Sequence, residues 1–204
     1  MFLKKKLAAK IASEGPLSIS KFMEICLWDC DDGYYSKKQI IGKKGDFITS
    51  PELSQTFGEL IGVWSLSYHL NKFKDKKLTL LELGPGKGTL MSDALRAISK
   101  IKKSKIETEA YLLEKSSVLK SIQQKKLLGF NVKWINNIKK MPAKPLVIIA
   151  NEFFDALPIN QYVKVGSGWR ERKIAIKNNK FYITLDKKII RFKTNYFNNT
   201  TIGG

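Results

Sequence analysis

Imidazole and thiol side chains are nearly missing from this chain: its 204 residues include one histidine, His69, and two cysteines, Cys26 and Cys30. A structural zinc site takes four such ligands, so no metal centre is expected. Two thiols in a helical-looking stretch read as buried residues of a reduced, cytoplasmic protein rather than as a disulfide framework. Long apolar runs are missing too. No stretch approaches the about 18 residues that cross a bilayer, which excludes a membrane span. The opening MFLKKKLAAKIA is basic but lacks the apolar core of a signal peptide, and no mitochondrial transit peptide is evident. Arginine is scarce: Arg96, Arg170, Arg172 and Arg191 are the only four among 37 basic residues, although the net charge is +19. Recognition of phosphate favours the bidentate arginine fork, so nucleic acid is not the expected partner. The lysine excess is open to two readings, an acidic partner or a biased composition.

The chain has 43% hydrophobic residues, enough for one domain with a core and a small appendage. The stretch that organises it is Leu78 to Leu90, LTLLELGPGKGTL. Leu78, Leu80, Leu81 and Leu83 read as a buried strand. Glycine then recurs at Gly84, Gly86 and Gly88, and from Thr89 the spacing of Leu90, Met91, Ala94, Leu95 and Ile98 predicts a helix with one apolar face. Strand, glycine turn and helix open a nucleotide-binding βαβ unit, in which a small polar ligand can lie across the turn. The spacing matches neither the dinucleotide fingerprint nor a P-loop.

Further along, Ala110 to Leu113 reads as a second strand ending in Glu114. In a doubly wound sheet that position faces the ligand crevice, so Glu114 is the expected acceptor of ribose hydroxyls. Asn131 to Trp134 reads as a weak third strand, with Trp134 or the Asn136-Asn137 pair beside the base. Leu146 to Ala150 reads as a fourth strand that delivers Asn151, Glu152, Phe153, Phe154 and Asp155 into the mouth of the same crevice. Before the first strand, a helix from Ser54 to Leu70 is expected with Phe57, Leu60, Ile61, Trp64 and Leu66 on its apolar side. The N-terminus reads as two helices, Leu3 to Ala12 and one capped by Ser18 or Ser20. After Gln161 three strand-like segments follow, Trp169 to Ile176, Lys180 to Leu185 and Lys188 to Lys193.

Three segments together, GDFITSPE (Gly45 to Glu52), LELGPGKG (Leu81 to Gly88) and NEFFDALPINQ (Asn151 to Gln161), resemble the MidA-type methyltransferases. This is the family of the mitochondrial protein-arginine methyltransferase that assists assembly of respiratory complex I. The resemblance implies an α/β fold: a class I methyltransferase Rossmann-like sheet, here partial, with an N-terminal helical segment and a C-terminal β-rich insertion. It implies S-adenosyl-L-methionine as cofactor, held by Glu82, Gly84, Pro85, Gly86, Gly88, Glu114 and Trp134. Gly45, Asp46, Phe47, Ser50, Pro51 and Glu52 would help to close the site. The implied reaction is methylation of an arginine on a partner protein such as a complex I subunit. Glu152 and Asp155 are the expected carboxylates for the guanidinium, with Asn151 orienting it. Segments 1–75, 76–161 and 162–204 are the expected domains, and the later strands of the family sheet are expected beyond the final TTIGG, which makes the chain a fragment or a reduced member. Competing expectations are a cofactor-binding assembly factor without catalysis and, third, an RNA methyltransferase.

Overall fold

The computed structural model describes residues 2–34, 49–73, 77–101 and 106–192. These fall into two compact units: the described residues of 1–38 and 156–204 form one, and those of 39–155 form the other. The units cut across the three consecutive segments expected from the sequence, because the N-terminal helices pack on strands from the far end of the chain.

In the second unit, a parallel sheet of order β4-β3-β2-β5 is built from β2 (Lys77–Leu83), β3 (Glu107–Leu113), β4 (Val132–Ile135) and β5 (Val147–Ile149). These are the four strands expected before Asn151, in the order of a class I half-sheet. Helix α5 (Thr89–Lys100) joins β2 to β3 and α6 (Ser117–Lys126) joins β3 to β4. Ser116 starts α6, its hydroxyl accepting from the Leu119 amide at 3.3 Å. Alternation along β2 sends Leu78 and Leu80 to one face, where they meet Leu90, Met91, Leu95, Ile98 and Leu127 of the helical layer. Leu81 and Leu83 go to the other face with Tyr111 and Ile135. On that second face Glu109 is buried at the end of a lysine ring, with Lys77 and Lys133 each at 3.4 Å and Lys144 also paired to it.

The short α3 (Ser50–Leu53) and α4 (Gln55–Lys72) precede the sheet. Helix α4 buries only part of the face expected of it: Leu66 is buried and Phe57 and Ile61 pack against the core, but Leu60 is 63% and Trp64 59% exposed, and Gly58, Gly62, Ser65 and His69 are buried in their place. Small residues are needed there because α4 lies almost on the backbone of α5. A Cβ at Gly62 would stand 2.5 Å from the Ala94 carbonyl oxygen, and one at Gly58 2.7 Å from Asp93 Cβ.

The first unit comprises α1 (Phe2–Glu14), β1 (Leu17–Ser18), α2 (Ile19–Trp28), β6 (Tyr162–Val165), β7 (Gly168–Lys177) and β8 (Lys180–Leu185). Ser18, not Ser20, caps α2, its hydroxyl accepting from the Lys21 amide at 3.1 Å. The long β7 pairs antiparallel with β6, β8 and β1. Asn178 and Asn179 take positive φ (51° and 57°), which gives the two-residue turn that matches the twist of the β7–β8 hairpin. Leu7, Ile11, Leu17, Ile19 and Ile174 form its core, with Cys26 packed against them. Cys30 is exposed, contrary to the expectation of a buried pair. Lys188 to Lys193 is not a regular strand over its described part, where only Ile190 bridges to Trp169.

Candidate functional site

At the carboxyl end of β2 the chain turns through Gly84, Gly86 and Gly88, all in the left-handed region with φ of 64°, 53° and 78°. Such angles are open to glycine without steric cost. The turn is closed by the Gly88 amide donating to the Pro85 carbonyl at 2.7 Å. Gly88 is also the N-cap of α5 and has no side chain to offer, so the first-turn amides of the helix receive no capping side chain from it. Gly84 carries a second constraint, since a Cβ there would lie 2.6 Å from the ring of Phe153. Phe153, in the loop after β5, therefore lies against the turn.

Glu82 sits just below. It is 3% exposed and pairs in register with Ile149, so the two side chains share a sheet face. Its Oε2 has no hydrogen-bond partner among the described residues. Burial pushes its carboxyl up to about 8. An unpaired buried carboxylate is costly, and a cation brought next to it would offset that cost.

Ser50, Pro51 and Glu52 lie in α3, a helical turn rather than a loop, with Pro51 buried in its first turn. Glu52 accepts from the Thr89 hydroxyl at 2.5 Å, and Lys87 Nζ stands 3.8 Å from its other oxygen. Thr89 in turn accepts from Lys126 at 2.6 Å. These bonds bring the end of the GDFITSPE segment to the start of α5. Gly45, Asp46 and Phe47 lie outside the described residues.

Glu114 follows β3. Its Oε1 accepts from the backbone amides of Lys115 and Ser116, each at 2.8 Å, and its Oε2 accepts from Gln123 at 3.3 Å. Gln123, on α6, is fully buried. It donates to the Gly86 carbonyl at 2.7 Å and accepts from the Trp134 indole N–H at 2.8 Å. Trp134 is thereby tied to α6 and packs on the main core. Asn137 is used locally, accepting from the Lys139 amide at 2.9 Å to cap a single 3-10 turn.

Beyond β5, Asn151 lines a cavity of about 210 Å³ with Phe57, Ile61, Leu90, Ile149 and Ala150. Glu152 is exposed and held at a φ of 48°, rare for a side chain of its size. Asp155 is exposed in a 3-10 turn. The structure thus groups Glu52, Glu82, the glycine turn, Glu114 and Trp134 around the ends of β2, β3 and β4, with Asn151 beside Ile149 at the end of β5. The sequence reading assigned no role to Gln123, Thr89 or Phe153. For Gln123 a signal exists: it falls at helical spacing between Leu119 and Leu127, a polar residue in the inward stripe of α6.

Comparison with known proteins agrees with this architecture. Residues 60–202 match a family described as "Putative S-adenosyl-L-methionine-dependent methyltransferase". The chain is 40% identical to protein arginine methyltransferase NDUFAF7, mitochondrial, of Xenopus tropicalis, over 82% of this chain and 44% of that protein. It is 34% identical to the Homo sapiens protein of the same name, over 79% and 42%. The chain thus spans less than half the length of these relatives. Among solved structures it resembles a COG1565 superfamily member from Burkholderia thailandensis bound to S-adenosyl-homocysteine, with a TM-score of 0.69 and 26% identity, over 94% of this chain and 50% of that one. By residues 60–202 the chain belongs to this family of S-adenosyl-L-methionine-dependent methyltransferases, the MidA-type family that its GDFITSPE and NEFFDALP segments resemble.

Proposed function

We propose that the chain binds S-adenosyl-L-methionine over the glycine turn and serves methylation of an arginine side chain on a partner protein, a respiratory complex I subunit being the expected substrate. The observation that carries the reading is the buried Glu82 carboxyl beneath three left-handed glycines, its Oε2 without a hydrogen-bond partner among the described residues. It suits a ligand bearing a cationic end, and the amides at the start of α5 suit an anionic one. Glu114, its Oε1 held by two backbone amides, suits vicinal hydroxyls through Oε2. These residues fit an amino-acid nucleoside.

The cofactor supplies a methyl group already activated on a sulfonium, so the protein's task is alignment. An acceptor nitrogen has to reach about 3–3.5 Å from the reacting carbon. The arginine guanidinium is charged and planar, and carboxylates pairing with two of its nitrogens orient the third. Glu152 and Asp155 are assigned that part, with Asn151 orienting the group from the wall of the cavity. Apolar walls of Phe57, Ile61 and Leu90 suit the methylene stem of the acceptor.

Calorimetric titration of S-adenosyl-L-methionine into the 204-residue chain tests the binding part. Binding is expected, and Gly86→Val, which puts a branched side chain at a φ of 53°, is expected to abolish it. Glu114→Ala removes charge-assisted hydrogen bonds worth about 1.5–3 kcal/mol and is expected to weaken binding by at least tenfold. Unchanged affinity in both variants would sink the placement of the site. For the transfer step, the Glu152→Gln, Asp155→Asn double variant should lose methylation of an arginine-containing protein substrate while retaining cofactor affinity. Binding without transfer by the parent chain would favour a non-catalytic assembly role.

A further inference from the structure

Gln123 is buried, lies outside the glycine motif, and joins three pieces of the site that come from different elements. Its amide nitrogen has two hydrogens, and both are used, on the Gly86 carbonyl at 2.7 Å and on Glu114 Oε2 at 3.3 Å. Its amide oxygen accepts the indole N–H of Trp134 at 2.8 Å. The orientation of the amide is dictated by these partners, because an indole N–H can only donate and a backbone carbonyl can only accept. The side chain also packs against the turn, its Cγ lying 3.2 Å from where a Cβ on Gly88 would be. A glutamine buried at this depth carries a desolvation cost that only complete pairing offsets.

We propose that Gln123 is the positioning residue of the nucleoside subsite. Its amide sets the tilt of the glycine turn through Gly86, the direction of the free lone pair on Glu114 Oε2, and the plane of Trp134, so that a nucleoside meets all three already aligned. The inference rests on the reading that the nucleoside lies over this turn with its ribose on Glu114. Glutamate at this position is nearly isosteric and still accepts from Trp134, but it has at most one hydrogen to donate and so cannot serve Gly86 and Glu114 together. Methionine keeps the volume and makes none of the three bonds.

The test is calorimetric titration of S-adenosylhomocysteine, adenosine and 2′-deoxyadenosine into the full 204-residue chain, its Gln123→Glu and Gln123→Met variants, Glu114→Ala, and the Gln123→Glu, Glu114→Ala double variant, all checked for cooperative melting. Gln123→Glu is expected to weaken S-adenosylhomocysteine at least tenfold and to reduce the preference for adenosine over its 2′-deoxy form. The double variant is expected to lose clearly less than the two single losses added together, because part of the glutamine's effect passes through that carboxylate. A merely structural glutamine would weaken both nucleosides alike and give additive losses, and either result overturns the proposal. So does Gln123→Glu binding within twofold of the parent. If Gln123→Glu does not melt cooperatively, Gln123→Met gives the same comparison at matched volume. A folded parent that binds none of the three ligands overturns the site reading itself, an outcome distinct from a parent that binds and a variant that is unaffected.

Discussion

Glu82 shows how one residue can carry both a cost and a use. Its carboxyl is pushed up to about 8 by burial alone. In the ligand-free fold it therefore holds its proton through neutral pH. The stability linked to that proton is complete below the ordinary carboxylate value and is lost as pH rises through about 8. A cationic ligand favours the ionised form, so binding must release the proton. Affinity for S-adenosyl-L-methionine is accordingly expected to rise between pH 6 and 8, by at most about tenfold per pH unit, and then to level off. Glu82→Gln should bind more weakly and flatten that slope. A parent profile without slope, measured by calorimetry in buffers of differing ionisation heat, would remove Glu82 from the contact. The motif marked Glu82 and the three glycines as candidate site residues from sequence alone, since each is recognisable by type and spacing. For Gln123 the helical spacing marks a buried polar residue, but not its three partners, which only the fold brings together.

At the level of elements, the helix pair α4 and α5 reverses an ordinary expectation. Leu60, Trp64 and Tyr68 on α4 face outwards, Trp64 stacking on Tyr68 at 5.4 Å between ring centroids, while Gly58 and Gly62 face α5. Hydrophobic periodicity finds large residues and passes over glycine, yet a close helix crossing is made by what is absent from the surface. Gly62→Leu should therefore cost about 1–3 kcal/mol or more, since a side chain there meets the Ala94 backbone rather than a movable group. In a chain of this size that lowers Tm by several degrees. Trp64→Lys, by contrast, should stay within about 0.5 kcal/mol of the parent. Thermal melts of the two variants decide the matter, and a larger loss from Trp64→Lys would contradict the assigned face.

For the whole molecule, the division into two units has a measurable consequence. At a ligand concentration of about 100 times Kd, binding stabilises the species that binds by about 2.7 kcal/mol. Hydrogen exchange should then slow in β2, β3 and β5 and remain unchanged in β7 and β8 if the units open separately. Equal slowing throughout would mean that they unfold as one cooperative body. Three of the 37 basic residues, Lys77, Lys133 and Lys144, converge on the buried Glu109 and leave a local excess of positive charge there.

What the sequence determined by itself was the local grammar of the second unit: a buried strand, a glycine turn and a helix, then strands ending in Glu114 and Asn151. These follow from periodicity, steric permission and residue type, all of which act over a few positions. Tertiary structure alone decided the rest. It paired Leu17 with Ile174 and so drew the N-terminal helices to the C-terminal strands. It turned Gly58 and Gly62 inwards, laid Phe153 on Gly84, and set Gln123 between Gly86, Glu114 and Trp134. In each case the deciding contact joins residues far apart along the chain, and only the closed fold fixes their distance.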